Sequence, residues 1–89
     1  MDVCKRVRYS GRVQGVGFRY TTERLAQGFR VGGYVRNLPG GEVELVVEGA
    51  EDEVRRFLAQ VAGRMQENID AVTESPETPS GFRDFRVRF

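Results

Sequence analysis

The sequence predicts an α+β sandwich, an antiparallel sheet with two helices on one face, built as a single domain over residues 1–89. Three observations carry this expectation. Segments with strand-type and helix-type hydrophobic spacing follow one another in the order β-α-β-β-α-β. A short glycine-rich connection joins the two central strand segments and marks a hairpin. Finally, 89 residues of which 39% are hydrophobic suit one layer of core and leave no room for a second.

Residues Val3 to Val13 alternate loosely, with Val7, Tyr9 and Val13 on one parity and Arg6, Arg8 and Arg12 on the other, as in a strand with one buried face. Gly15 and Gly17 break that pattern. Phe18, Thr22, Leu25 and Phe29 then recur at helical spacing. Gly32 and Gly33 separate this helix from a second strand, Tyr34 to Leu38, and Pro39-Gly40-Gly41 is a turn. In the third strand Val43, Leu45 and Val47 point inward, and Glu42, Glu44 and Glu48 outward. Gly49 leads into the strongest helical stripe of the chain, Val54, Phe57, Leu58, Val61 and Met65. Glu51, Asp52 and Glu53 crowd its first turn, where the helix dipole favours acids. A weaker strand signal covers Ile69 to Thr73. Pro76 and Pro79 bound a loop, with Ser75 to Gly81 too short for a domain linker, and Phe85, Val87 and Phe89 alternate with Arg86 and Arg88 in a final strand. Two split βαβ units in this order give the ferredoxin-like sandwich.

Composition removes several function classes. There is no histidine, which excludes histidine bases, catalytic triads and most transition-metal sites. The one cysteine, Cys4, cannot form an intrachain disulfide or a multi-cysteine zinc site, and in a strand without a histidine partner it reads as a structural thiol. Net charge is +1, from 14 basic and 13 acidic residues, so no nucleic acid partner is demanded. The arginine bias (every basic residue except Lys5) carries almost no functional weight, because habitat or genome composition produces the same bias. Neither a signal peptide nor a membrane-spanning run is visible, which predicts a cytoplasmic protein with no membrane partner. Monomer is the default expectation.

The chemistry concentrates between the first strand and the first helix, at Gln14-Gly15-Val16-Gly17-Phe18-Arg19. Gly15 and Gly17 permit bends closed to other residues and let an anion approach the backbone amides. The first helical turn adds amides without intrahelical partners and the positive end of its dipole. Arg19, in that turn, can meet two phosphate oxygens at once. Taken alone, the glycine spacing is also what many strand-to-helix turns need. Asn37 is the second element. A right-handed β-α-β unit brings the second strand near the first, so Asn37 can face the loop and orient a water. Without the loop beside it, capping of the Leu38–Gly41 turn is the favoured reading of its side chain.

Gly11-Arg12-Val13-Gln14-Gly15-Val16-Gly17-Phe18-Arg19 closely resembles the G-x-V-Q-G-V-x-F-R signature of acylphosphatases, and Gly33-Tyr34-Val35-Arg36-Asn37 resembles their second signature, G-[WY]-V-x-N. The interval between Arg19 and Asn37 also fits, and the resemblance covers nearly the whole chain. It implies hydrolysis of carboxyl phosphates without a metal or other cofactor. A small-molecule acyl phosphate would be the substrate and inorganic phosphate a product. The family's essential arginine falls on Arg19, its water-positioning asparagine on Asn37 and its phosphate-cradling backbone on Gln14 to Arg19. Two stretches depart from the family pattern, Gly28-Phe29-Arg30 and Arg64 to Asp70.

Three other readings compete. RNA-recognition domains share the element order but place aromatics on the third strand, where this chain has three carboxylates and no aromatic. A regulatory small-ligand domain would use the loop glycines without needing Arg19 and Asn37 together. An acylphosphatase-like domain of a larger carbamoyl-transfer maturation factor would share both motifs, but the chain's length and final strand favour an independent protein.

Overall fold

The computed structural model describes residues 2–89. Strand β1 (Asp2–Gly11) leads through the glycine loop into helix α1 (Phe18–Ala26). Strands β2 (Val31–Asn37) and β3 (Val43–Ala50) form the expected hairpin, followed by helix α2 (Glu51–Arg64), strand β4 (Ile69–Pro76) and strand β5 (Phe85–Arg88). All five strands lie in one sheet in the order β4-β1-β3-β2-β5. No helix among the described residues is long and apolar enough to cross a membrane.

The core forms between the sheet and the two helices. Val7 and Tyr9 of β1, Val35 of β2 and Val43, Leu45 and Val47 of β3 face Phe18 and Ala26 of α1 and Val54, Phe57, Leu58 and Val61 of α2. Alternation along each strand sends one parity to this layer, and each fully buried aliphatic or aromatic side chain contributes about 1.5–3 kcal/mol. Phe57 sits at the centre, its ring 5.9 Å from Phe29 and 5.4 Å from Phe85 between centroids.

The fold class stands as predicted, with two corrections to its detail. β1 pairs antiparallel with β3 and β4, and β2 with β3, but β5 lies parallel to β2, so the sheet is mixed. The weakly signalled segment at Ile69 is also a full strand and the fourth of the β-α-β-β-α-β series; the last strand is an addition at the opposite edge. β4 gave little signal because only Ile69 of its eight residues is even half-buried. The chain then crosses the open face of the sheet to reach β5. The Glu77 amide donates to the Cys4 carbonyl at 3.0 Å, the Ser80 amide donates to a Glu48 carboxylate oxygen at 2.8 Å, and Phe82 packs edge-on against Tyr34.

β2 also begins earlier than predicted and includes Gly32 and Gly33. These glycines allow close packing and do not interrupt the strand. A Cβ on Gly32 would lie 2.7 Å from the Phe82 carbonyl, and one on Gly33 would lie 1.9 Å from the Val46 carbonyl. On the open face Glu44 points outward as expected, yet it is buried, because Arg6 and Arg36 clamp its carboxylate from the neighbouring strands at 2.5 and 2.6 Å.

Candidate functional site

Two apolar anchors fix the loop between β1 and α1. Val13 and Phe18 are both 1% exposed, and the Phe18 ring packs 4.9 Å from that of Tyr9. Between them Gln14 is half-buried and Gly15, Val16 and Gly17 are exposed. Gly15 and Gly17 hold φ of +75° and +80°, in the left-handed region. Nothing lies within 4 Å of a Cβ built on either, so conformation and not space requires glycine at both.

Gly17 is the N-cap of α1, and no side chain caps the helix. The first helical hydrogen bond runs from the Thr21 amide to the Gly17 carbonyl at 3.0 Å. The amides of Phe18, Arg19 and Tyr20 therefore precede the helical ladder. No acidic residue lies in this first turn to compete for them. Left-handed glycine, helix start and uncapped amides are the features from which backbone anion sites are built. Phe18 has only its backbone to offer such a site, because its side chain belongs to the core.

Asn37 stands at the end of β2, opposite Val43 and on the same parity as the buried Val35. Gln14 links it to the loop: its side-chain amide donates to the Leu38 and Glu42 carbonyls, both at 2.8 Å. The turn at Leu38–Gly41 is closed by its own backbone, with the Gly41 amide donating to the Leu38 carbonyl at 3.1 Å and the Leu38 amide to the Glu42 carbonyl at 2.8 Å. Asn37 Oδ1 caps nothing there. It is buried and accepts no hydrogen bond from the protein. Leaving a buried acceptor unpaired costs about 1–3 kcal/mol, and folded proteins tolerate few of them.

The guanidinium of Arg19 reaches the same end of the sheet. Its Nη1 donates to the Arg88 carbonyl at 3.1 Å, and its Cζ lies 4.8 Å from the centre of the Phe89 ring. Arg88 is the register partner of Arg36, the residue before Asn37. The predicted loop, Arg19 and Asn37 are thus gathered where the ends of β2 and β5 meet the start of α1. The Gln14 side chain, the Arg88 carbonyl and the Phe89 ring were not singled out in the sequence. A backbone carbonyl leaves no mark there, and the loop motif points to Gln14 only through its backbone.

The tip of the loop lies open to solvent, with Gly15, Val16 and Gly17 all exposed. A cleft of 410 Å³ lies away from the loop, lined by Glu23, Ala26, Phe85 and Arg86 among others. A compact charged group held against backbone amides needs no deeper enclosure.

The architecture is that of the ferredoxin-like α+β sandwiches, with a glycine-bent strand-to-helix loop tied through Gln14 to the turn that follows Asn37. A sequence model of the acylphosphatase family matches residues 5–87. An acylphosphatase of Methanothrix thermoacetophila is 55% identical over 88 residues, covering 98% of each chain. One from Thermotoga maritima is 42% identical over 85 residues, covering 94% of each. The crystal structure of an acylphosphatase from Bacillus subtilis superposes with a TM-score of 0.87 at 27% identity over the whole of both chains. This chain belongs to the acylphosphatase family.

Proposed function

We propose that this chain hydrolyses acyl phosphates to a carboxylate and inorganic phosphate, by in-line attack of a water on a phosphoryl group held at the glycine loop. Backbone amides from Gln14 to Arg19 and the Arg19 guanidinium would bind the phosphoryl oxygens. Asn37 would orient the water. The observation that carries the reading is the gathering of these groups at one end of the sheet, with the buried Oδ1 of Asn37 still free to accept a hydrogen bond.

The substrate's chemistry fits so small a set of groups. A carboxylate leaves with a pKa near that of an ordinary carboxylic acid, about 4, so no general acid is needed to protonate it. What remains is to hold the phosphoryl group, stabilise charge on its equatorial oxygens and align the nucleophile. Each well-aimed donor contributes on the order of 3–4 kcal/mol to such a transition state. An amide takes no proton near neutrality, so Asn37 orients water and a phosphoryl oxygen of the substrate accepts the proton. With no titrating histidine, turnover is expected to be nearly flat between about pH 5 and pH 8.

The test is hydrolysis of benzoyl phosphate in ¹⁸O-enriched water with excess EDTA. Label in inorganic phosphate, with none in benzoate, is expected from attack at phosphorus. Label in benzoate, or no turnover by folded protein, would overturn the reading.

A further inference from the structure

The groups beside Arg19 are the Arg88 carbonyl, at the end of β5, and the ring of the next residue, Phe89; β5 is a strand of four residues at the edge of the sheet. Its strand partner is β2, across Gly33–Arg36. So short an edge strand frays readily unless something outside the sheet holds it. α1 does so with two side chains four positions apart, which a helix places on one face. Arg19 Nη1 donates to the Arg88 carbonyl at 3.1 Å, and one turn further along, Glu23 Oε2 accepts the amide of Val87 at 3.0 Å. These two bonds join α1 to consecutive residues of β5.

They differ in environment. The Arg19 bond is exposed, whereas the Glu23 bond is partly buried and charge-assisted on the acceptor side. Arg86, the charged neighbour of Glu23, directs its Nε to Asp84 at 2.8 Å and leaves the Glu23 carboxylate to the Val87 amide. Val87 is also half-buried against the core, so the Glu23 bond fixes β5 on its helix side.

We infer that Glu23 is a positioning residue for Arg19, holding the end of β5 so that the Arg88 carbonyl and the Phe89 ring constrain the guanidinium over the glycine loop. This rests on the reading of Arg19 as a phosphoryl ligand. The property that matters is the acceptor oxygen and not the negative charge. Without it the Val87 amide loses its partner, the end of β5 moves, and the guanidinium is no longer confined to one orientation. A displacement of 1 Å at such a group is enough to cost on the order of a hundredfold in rate.

The experiment compares full-length wild type, Glu23→Ala and Glu23→Gln. It measures inorganic phosphate affinity by titration calorimetry, kcat and KM for benzoyl phosphate, and thermal unfolding. Glu23→Ala is expected to lose roughly tenfold in both phosphate affinity and kcat while keeping its circular dichroism spectrum. Glu23→Gln, whose amide oxygen accepts the same N–H, is expected to restore both to within about twofold of wild type. A folded Glu23→Ala that binds phosphate and turns over like wild type, whatever its Tm, would overturn the assignment. Impairment in Glu23→Gln equal to that in Glu23→Ala would overturn it too, because charge would then be the active property. Should Glu23→Ala fail to fold, Glu23→Ser is compared with Glu23→Gln by the same criteria. Calorimetry needs no turnover, so wild type that binds phosphate without hydrolysing acyl phosphates would defeat the proposed function and still decide the role of Glu23.

Discussion

Gly15→Ala separates the loop's conformational requirement from its binding role. Gly15 sits at φ +75°, and an added Cβ would meet nothing within 4 Å, so no steric clash contributes to the cost. An alanine kept in the left-handed region loses about 1–2 kcal/mol. In a domain of this size each kcal/mol lowers Tm by about 4–8 °C. The alternative is for the backbone to rotate to negative φ, which recovers the stability but re-aims the amides that follow. One charge-assisted hydrogen bond lost there is about 1.5–3 kcal/mol, which weakens phosphate binding by roughly ten- to a hundredfold. Thermal unfolding and competitive inhibition by inorganic phosphate, measured on the same preparation, therefore show a loss in at least one readout. Gly15→Asn is expected to lose less, because asparagine tolerates the left-handed region better than alanine. A Gly15→Ala variant unchanged in both Tm and phosphate inhibition would refute the claim that this bend aims the amides.

Two further outcomes test the scaffold. Phe57 is fully buried between Phe29 and Phe85, so Phe57→Ala is expected to cost about 3–5 kcal/mol in urea unfolding; a loss below about 1 kcal/mol contradicts its central place in the core. For Glu44, burial works to raise the carboxyl pKa, but hydrogen bonds and charge from Arg6 and Arg36 outweigh it and hold it below the ordinary value. Such a group contributes stability above its unfolded pKa of about 4.3 and loses it as pH falls through the folded value. The stability gap between wild type and Glu44→Gln is thus expected to be complete at pH 6–7 and to close below about pH 4; a gap independent of pH contradicts the ion-pair account.

The parts of the molecule that sequence revealed are those whose physics is local. Gly15 and Gly17 mark bends that side chains resist. The stripe from Val54 to Met65 repeats at helical spacing, and the alternation of Val43, Leu45 and Val47 reports one buried strand face. Other features depend on partners distant in sequence. β4 pairs along β1 with almost no buried side chain, so its alternation carries no apolar signal. The direction of β5 follows from a segment that crosses the open face, and no pattern within Phe85–Arg88 encodes it. Gly32 and Gly33 read as a break because their real constraint, contact with Phe82 and Val46, comes from 50 and 13 residues away. At the site, Arg19 and Asn37 stood out as residue types at meaningful positions. The groups around them did not, since the Arg88 and Leu38 carbonyls act through backbone oxygen.

The most direct test of the proposed chemistry is steady-state hydrolysis of benzoyl phosphate in excess EDTA by wild type, Arg19→Gln and Asn37→Ala, each with its inhibition constant for inorganic phosphate. The assigned roles predict that Arg19→Gln loses at least about a hundredfold in kcat together with phosphate inhibition. They predict that Asn37→Ala loses kcat strongly while its phosphate inhibition stays within a few-fold of wild type. An Asn37→Ala protein that turns over at the wild-type rate, or an Arg19→Gln protein that still binds phosphate normally, would contradict the assignment of the site.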